Sequence, residues 1–542
     1  MAKDNSNTLM KNASFLMIAA LVSKIIGMLY KSPLSATLGS QSFALFQYAQ
    51  NAYFILLMIA SFSIPQAVSK IMAEKLAFKR YRDAQKVFRC SLIYAVVAGG
   101  AVALFCVFGA SILVPEKMAG ARLALQMLAP TIFLSGILGV FRGYFQAYRN
   151  MMPTSLSQII EQIFVAVFAL LMSSTMIRMH AGQGEAEIQR WGAAGATMGT
   201  GAGVAAALLF MLLVYFINRK IIKKRIMRDR VSVDEPTAEV IKTIILIIMP
   251  IIFSAFIYNV NSYINSYMYT YILGRRGMDQ SVLQTMYAEF GYFGTLINIP
   301  LTLAATAPTS MLPEVSAHYA KGDIDLACVK IDRATWISMI ISIPSAIGLA
   351  VLSQPVTRLI FRGTNGVAGN LLILGGITVI LNGNSNITNG VLQAIGKPGI
   401  PMRHAAISLV ADIIAMVLLL QFTDLGVYSI VIAMIIYAVV MCVVNSLSVR
   451  KYLGYRNPWK KAYLIPLAAS VPMGAAAFGV YKGVHVLVNS NIVSLGVAVI
   501  VAVIVYFGVY LVISRPSTDE IMLIPGGRYL AKIYTKLFGH IK

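Results

Sequence analysis

The chain is poor in charge and in the residues that cross-link proteins or hold metals. Only 12% of its 542 residues are charged, against about 25% in an average soluble domain, so an ordinary soluble protein is excluded. The four cysteines and five histidines are scattered without paired spacing, which indicates neither a disulfide framework nor a zinc site. No nucleophile–base constellation, HExxH, P-loop or Rossmann fingerprint occurs. The sequence therefore predicts no catalytic residues, no organic cofactor and no enzyme.

Long apolar runs dominate the chain instead. They recur from the N-terminus to beyond residue 510, and each is about 20 residues long, enough to cross hydrocarbon as a helix. They do not alternate as the strands of a β-barrel would. The predicted fold class is an all-α polytopic membrane protein with about 14 transmembrane helices. The predicted spans are 13–37, 44–72, 90–114, 123–148, 153–177, 191–217, 239–273, 283–316, 334–354, 368–395, 400–422, 425–449, 461–481 and 491–514.

The positive charge is concentrated in alternate connections between the predicted spans. The formal net charge is +24, and basic residues cluster after spans two, six and twelve. The opposite connections hold fewer cations, with Arg275 and Arg276 as the main exceptions. This positive-inside bias predicts a protein of the cytoplasmic membrane with both termini in the cytoplasm. Topology and contact with anionic membrane lipids account for the charge, without a nucleic-acid partner.

A weak internal repeat divides the chain. The pattern G-x-x-Q-A occurs at 143–147 and again at 390–394. The offset between these two copies is nearly the same as the offset between Pro65 and Pro313. Because the offset covers six predicted spans, an even number, the two lobes have the same orientation. The predicted organisation is an N-terminal six-helix lobe (1–218), a cytoplasmic linker (219–238), a C-terminal six-helix lobe (239–450), two extra transmembrane helices (451–514) and a cytoplasmic amphipathic tail (515–542).

Two lysines lie inside the first predicted span. Lys24 and Lys31 are about two helical turns apart, so their ammonium groups project from one face, roughly 10 Å from each other. A cation near the bilayer centre costs roughly 2.5–3.5 kcal/mol, and two stacked cations favour an anionic ligand. Their position after a short apolar core also favours a retained span over a cleaved signal peptide.

Arg142 and Glu161 complete the charged set of the first half. Glu161 is either a structural partner of Lys24 or part of a substrate site, and the sequence leaves both interpretations open. In either case Lys31 and Arg142 lack an obvious carboxylate partner in the sequence. An excess of cations favours a phosphate-bearing ligand, because Lys and Arg both bind phosphate and Arg does so with a planar fork.

Polar side chains also form helical stripes on several predicted spans. Amides that face lipid would lack hydrogen-bond partners, so the stripes are expected to face inward. They either join helices by hydrogen bonds or line a wet cavity, and their presence in both halves, together with the charges, favours the cavity. The stripes of spans seven and ten contain Asn261, Asn265, Asn386, Asn389 and Gln393, and span four adds Gln146.

Ser408 and Asp412 form a candidate ion site in predicted span eleven, where they follow His404 at four-residue spacing. An intramembrane carboxylate beside hydroxyl and amide oxygens can bind sodium or relay a proton. The alternative is an aspartate whose hydrogen bonds are satisfied by neighbouring helices.

Two stretches resemble a known superfamily. Residues 21–31, LVSKIIGMLYK, followed by Leu38 and Gly39, resemble the first-span signature of the multidrug/oligosaccharidyl-lipid/polysaccharide exporters. Residues 142–148, RGYFQAY, and 152–162, MPTSLSQIIEQ, are similar to the fourth-to-fifth-span motif of the stage V sporulation protein B-like branch, which includes lipid II flippases. The resemblance implies two six-helix lobes around a central cavity, alternating access, and two C-terminal spans that help to form a groove for a polyprenyl tail.

The same resemblance implies roles for particular residues. It places the cavity cations of the family at Lys24 and Lys31, and the sodium site of some relatives at Ser408 and Asp412. We therefore expect a flippase that exports a polyprenyl-pyrophosphate-linked glycan, foremost the peptidoglycan precursor lipid II, with sodium or a proton as the coupling ion. Membrane lipids are the other expected partners, and a monomer is the expected functional state. The candidate substrate-binding residues are Lys24, Lys31, Arg142, Gln146, Glu161, Asn261, Asn265, Asn386, Asn389 and Gln393.

Two alternatives stay open. The first is a cation-coupled multidrug exporter of the same superfamily, which the cationic first span and the predicted span count disfavour. The second is a membrane polysaccharide polymerase or ligase, which would need acid–base residues in a sizeable outer loop.

Overall fold

The described part of the chain is helical throughout its regular structure. The computed structural model describes residues 19–516 and residue 521, with side chains left out at 306–310. Within these residues no strand occurs, which confirms the all-α fold class. The predicted amphipathic tail, 515–542, lies outside the described residues apart from Arg515, Pro516 and Ile521.

The packing of the helices defines two compact units, which divide between Ala288 and Glu289, inside helix α11 (Gln280–Ala304). Short π-helical turns at Met58–Phe62 and Trp459–Leu464 link consecutive helices. The helices of the first unit are α1 (19–29), α2 (Lys31–Leu57), α3 (Ile64–Ala77), α4 (Tyr81–Phe108), α5 (Ala110–Leu113), α6 (Ala121–Met127), α7 (Ala129–Ala147), α8 (Met152–Met179), α9 (Glu185–Met227) and α10 (Thr237–Arg275). Those of the second unit are α12 (Thr306–Ala320), α13 (Ile324–Val351), α14 (Ser353–Ile360), α15 (Val367–Gly375), α16 (Ile377–Ala394), α17 (Gly399–Phe422), α18 (Tyr428–Leu453), α19 (Ile465–Val488) and α20 (Asn491–Ser514).

The first two predicted spans run together as one helical stretch, Ala19–Ala77, of 59 residues. At about 1.5 Å per residue the stretch would extend about 88 Å, whereas the hydrocarbon core is about 30 Å thick. The stretch is therefore long enough to cross twice. It breaks at Gly39, whose φ of 71° and ψ of 170° are not helical and are tolerated by glycine because it has no Cβ. This break lies in the connection that the sequence predicts between spans one and two.

The predicted count of about 14 spans is not confirmed. Among the described residues, 11 helices are long and apolar enough to cross a membrane, or 12 if the pair α15 and α16, bent by 44°, is one crossing. Part of the difference comes from the merged first stretch. The rest comes from predicted span 283–316, which the structure divides into α11 and α12 at Ala305. Pro300 and Pro313 lie inside these two helices, and each removes a backbone donor from the helical ladder.

Close helix packing in the first unit follows from small residues. A Cβ added at Gly195 would come within 2.6 Å of the carbonyl oxygen of Met172, and one at Gly199 would overlap the backbone of Ala169. These glycines therefore let α9 approach α8, as small residues do at contacts between membrane helices.

The two C-terminal helices pack within the second unit. The indole of Trp336 on α13 donates to the hydroxyl of Tyr510 on α20 over 2.7 Å, and the hydroxyl of Tyr506 donates to the carbonyl of Ile340 over 3.0 Å. The domain boundaries drawn from the repeat stay predictions, because the packing units, which place α10 with the first unit, do not trace the repeat.

The predicted linker, 219–238, begins inside α9 and leaves the helix only after Met227. Residues 229–235 then bind the turn between α3 and α4 through carboxylates and their hydrogen-bond donors. We name this group of residues the linker clasp. The clasp consists of Lys75, Arg80, Arg82, Asp83, Asp229, Ser232 and Glu235.

Each carboxylate of the linker clasp has several donors. Asp229 accepts from the backbone amide of Arg82 over 2.7 Å and from the hydroxyl of Ser232 over 2.6 Å. Glu235 pairs with Lys75 and, over 2.8 Å, with Arg80. Burial by itself would raise the pKa of Asp229, but its hydrogen bonds outweigh burial and hold that pKa below its usual range. The pKa of Glu235 is likewise lowered, first by its bond from Lys75.

Candidate functional site

Lys24 and Lys31 lie on one uninterrupted helical path. The turn at Tyr30 keeps the helical bonds, since its amide donates to Ile26 over 3.2 Å and its carbonyl accepts from Leu34 over 3.0 Å. The helical spacing predicted for the two lysines therefore holds across the junction of α1 and α2. The side chain of Lys24 is exposed and that of Lys31 is half-buried. Lys31 makes no hydrogen bond or ion pair with any residue that the structure describes.

The face that carries the two lysines is the face that meets α8. Gly27 lies three residues after Lys24 and four before Lys31, so it shares their side of the helix. A Cβ at Gly27 would come within 2.8 Å of the side-chain oxygen of Gln162. Gln162 directly follows Glu161 in the chain, so the lysines flank the contact between α1 and the polar turn of α8. Sequence reasoning missed Gly27 and Gln162 as site residues, although the glycine midway between two lysines was a visible signal.

Arg142 is paired with Glu161, and the prediction that Arg142 lacks a carboxylate partner was wrong. Its Nη2 lies 2.7 Å from Oε2 of Glu161, and its Nε donates to the hydroxyl of Ser157 over 3.0 Å. Ser157 in turn donates to the carbonyl of Thr154 over 2.7 Å. Only 16% of the Arg142 side chain and 20% of the Glu161 side chain are exposed. The pair joins α7 to α8 beside the lysine face, and part of the guanidinium fork is thereby occupied.

Gln146 lies one helical turn beyond Arg142 and is half-buried. Its position on the same side of α7 keeps it a candidate for a polar contact next to the Arg142–Glu161 pair.

The polar stripe of α10 does not form one accessible face. Asn261 is 8% exposed and Asn265 only 1%, and the amide of Asn265 donates to Asn261 over 2.8 Å. The neighbouring Ser266 belongs to a network in which Asn51 donates to Tyr287 over 2.9 Å. The bond between the two asparagines lies within α10, whereas the Ser266 network joins α10 to α2 and α11. Burial and this network favour a structural role inside the first unit, not the lining of a wet cavity.

The stripe of α16, in the second unit, has the opposite exposure. Asn386 and Gln393 are exposed, whereas Ile387 on the other face is buried. Asn389 is half-buried and accepts from the amide of Asn445 over 2.6 Å. The buried Asn445 also lies 2.7 Å from the Nδ1 atom of His404. This stripe therefore presents free amides on one side and ties α16, α17 and α18 together on the other.

Ser408 and Asp412 are completely buried in the second unit. The hydroxyl of Ser408 donates to the carbonyl of His404 over 2.8 Å, which leaves its oxygen lone pairs available to a cation. Among the described residues no group of three or more His, Cys, Asp or Glu side chains could hold a metal ion. One carboxylate and one hydroxyl fit a weakly held monovalent cation better than a divalent one, so the ion site stays a prediction.

The fold and this site define a class of protein: a multi-pass helical membrane protein with basic side chains on one face of its first described helical stretch, Ala19–Ala77. The chain belongs to the polysaccharide biosynthesis protein family, which it matches over residues 9–317. Over 436 residues, 76% of each chain, it is 24% identical to "Lipid II flippase MurJ" of Bacillus subtilis (strain 168). Over 521 residues it is 22% identical to "Stage V sporulation protein B" of the same organism, which covers 96% of this chain and 98% of the relative.

A solved structure has the same fold. "Lipid II flippase MurJ, inward closed conformation" matches with a TM-score of 0.64 at 15% identity, covering 92% of this chain and 98% of that chain. The superfamily resemblance drawn from residues 21–31 and 142–162 is thereby confirmed. With bacterial relatives and helices of membrane length, the chain is a multi-pass protein of a bacterial membrane.

Proposed function

We propose that the chain is a flippase that carries a polyprenyl-pyrophosphate-linked glycan, foremost lipid II, from the cytoplasmic to the outer leaflet by alternating access. The observation that carries the proposal is the lysine face shared by α1 and the start of α2, where Lys31 has no partner among the described residues. The name of the relative that covers 76% of the chain supports the substrate class.

The physical problem is the passage of an anionic, polar head group through about 30 Å of hydrocarbon. Lys24 and Lys31 would neutralise the pyrophosphate, and ammonium groups roughly 10 Å apart can both reach a diphosphate. Arg142, held by Glu161 and Ser157, keeps unused N–H donors that can add a hydrogen bond. The apolar tail would stay in the lipid throughout.

The amides of α16 are the remaining candidates for the glycan. Asn386 and Gln393 are exposed, and each offers both a donor and an acceptor to sugar hydroxyls or peptide groups. Asn261 and Asn265 are not included, because they are buried and bonded to each other.

Two forces would drive the transfer. An inside-negative potential favours outward movement of an anion by about 2.3 kcal/mol per charge for each 100 mV. We also propose that Asp412, with Ser408, takes up sodium or a proton during the cycle. Both termini would lie in the cytoplasm, as the charge distribution predicts. The same cationic face disfavours a multidrug exporter, since it would repel organic cations.

The test is leaflet-resolved labelling of lipid-linked precursors in cells depleted of their own flippase. Lys31→Ala, and separately Lys24→Ala, should lower the outer-leaflet precursor at least tenfold at equal protein level, whereas Lys31→Arg should retain transport because it keeps the charge. Lys223→Ala is the matched control, because it removes one exposed lysine at the end of α9. Normal export by both alanine variants would refute the assignment of the pyrophosphate site.

A further inference from the structure

A cleft in the second unit lies outside the residues assigned to transport. It has a volume of about 510 Å³. It opens where α18 ends and where the next membrane-length stretch, Trp459–Val488, begins, so it lies at one end of two candidate spans. Its lining includes Asn384, Cys442, Leu447, Arg450, Arg456 and Trp459.

The cleft follows from the way in which α18 ends. Gly454 adopts a left-handed conformation with a φ of 65°, and its amide donates to the carbonyl of Arg450 over 2.9 Å. Glycine adopts this conformation without steric cost. The chain then turns, and Tyr455, only 8% exposed, anchors the connection in the unit. Arg456 and Trp459 are thereby held at the same end of α18 as Arg450.

The floor of the cleft is fixed by hydrogen bonds. The hydroxyl of Tyr463 donates to the side-chain oxygen of Asn384 over 2.9 Å, and the amide of Asn384 lies 2.8 Å from the sulfur of Cys442. The ring of Trp459 packs on that of Tyr463, with centroids 4.7 Å apart. These hydrogen bonds and the ring contact fix the positions of the side chains that form the floor of the cleft.

The rim of the cleft is cationic. Arg450 and Arg456 are both exposed, and neither forms an ion pair with a residue that the structure describes. Arg450 lies in the last turn of α18, where the helix dipole favours a cation. Arg456 lies outside any helix, so the dipole does not account for it. Guanidinium groups bind phosphate with two parallel hydrogen bonds.

One wall of the cleft is apolar and open. Val443 is 50% exposed and Leu447 59% exposed, and the indole of Trp459 is 63% exposed. Tryptophan is enriched at the level of lipid head groups, because its ring is amphipathic. A cationic rim beside an apolar wall at the end of two spans matches a molecule with an anionic head and an apolar chain.

We propose that this cleft binds the phosphate head group of an anionic membrane phospholipid. The phosphate would lie between Arg450 and Arg456, and an acyl chain would follow Val443 and Leu447 along α18. A soluble anion would leave the apolar wall uncovered, which is why the proposed occupant is a lipid. This inference is independent of the transport assignment, since none of these residues belongs to the proposed pyrophosphate site.

The experiment measures quenching of Trp459 fluorescence by brominated lipids in reconstituted bilayers. The full chain is compared with Trp459→Phe, so that the difference reports on Trp459 and not on Trp191 or Trp336. Brominated phosphatidylglycerol is added at low mole fraction to phosphatidylcholine bilayers, and brominated phosphatidylcholine is added to matched bilayers. We expect the anionic lipid to be preferred about thirtyfold, because two arginines at about 1 kcal/mol each together contribute about 2 kcal/mol.

The variant Arg450→Ala/Arg456→Ala should abolish this preference. Arg358→Ala/Arg362→Ala, which removes two other exposed arginines of the second unit, should keep it. The phospholipid that copurifies with each detergent-solubilised variant is a second measurement that does not depend on fluorescence, and it should fall only in the first variant. Equal quenching by the two brominated lipids would overturn the proposal. So would relief of quenching by substoichiometric polyprenyl pyrophosphate, because the occupant would then be a transport substrate.

Discussion

The linker clasp and the lysine face of α1 and α2, both in the first unit, differ in whether their charges are paired. In the clasp Asp229 and Glu235 each accept from several donors, and Lys75 and Arg80 are both paired with acids. At the start of α2, Lys31 lies in a stretch of membrane-spanning length and has no partner within the described residues.

The comparison indicates which charges serve structure and which are available to a ligand. A paired charge has its desolvation offset by its partner, so it stabilises a contact between segments. An unpaired cation in a span keeps that cost unless an anion arrives. The Arg142–Glu161 pair lies between these cases, since it is paired like the clasp but lies beside the lysine face.

The largest expected effect on stability comes from breaking the Arg142–Glu161 pair. Glu161→Gln leaves a mostly buried guanidinium without its counter-charge, and loss of one partner of a buried pair costs about 3 kcal/mol or more. Thermal unfolding of the solubilised protein should show a clear fall in midpoint. Glu187→Gln breaks the Arg190–Glu187 pair, whose side chains are 44% and 38% exposed, and should change stability by about 0.5 kcal/mol at most. Equal effects of the two variants would remove the distinction between the pairs.

The linker clasp should respond to substitution locally. Asp229→Ala removes the acceptor of several hydrogen bonds and should cost about 2 kcal/mol, read as faster amide hydrogen exchange in residues 228–236. Asp234→Asn is the control, because it removes only the charge of a side chain that is 89% exposed in its pair with Lys86. Asn also tolerates the left-handed φ of 54° at this position, so exchange should stay nearly unchanged. Unchanged exchange in Asp229→Ala would show that the clasp does not hold the linker.

The same clasp predicts a direction of pH dependence. The pKa values of Asp229 and Glu235 are lowered in the folded protein, so their stabilisation is fully present above the unfolded values of about 4. It should be lost as the pH falls through the lower folded values. Protection of residues 228–236, corrected for intrinsic exchange rates, should therefore be constant from neutral pH to about 5 and fall only below about 4. Loss of protection already near pH 6 would contradict this assignment.

The smallest expected effects separate the two amide stripes. Asn386→Ala should lower transport a few-fold without a change in stability, because its side chain is exposed. Asn265→Ala should cost about 1 kcal/mol of stability and leave transport per folded molecule unchanged, because Asn265 is buried and donates to Asn261. The reverse pattern would return the α10 stripe to the proposed site.

The sequence was sufficient for the class of fold and for the position of most helices, because hydropathy and length decide whether a segment can cross a bilayer. It was insufficient for the count of spans, since hydropathy does not report that Ala19–Ala77 is one helical stretch with a break at Gly39. Nor does it report that Pro300 and Pro313 accompany a division of span eight.

For the site, periodicity identified the polar faces but not their surroundings. Asn265 and Asn386 follow similar helical patterns, yet one is buried and the other exposed, because the neighbouring helix and not the stripe itself decides exposure. The pairing of Arg142 with Glu161 depends on how α7 packs against α8. A single sequence contains the two residues but not that packing.

The most direct test of the central claim is the binding of polyprenyl pyrophosphate to the purified protein in nanodiscs. We expect Lys31→Ala to weaken binding about tenfold, equivalent to about 1.4 kcal/mol. Polyprenyl alcohol, which lacks phosphate, should bind the native protein and the variant equally. Lys31→Arg should bind nearly as well as the native chain. An unchanged affinity in the double variant Lys24→Ala/Lys31→Ala would contradict the claim that these two lysines neutralise the pyrophosphate.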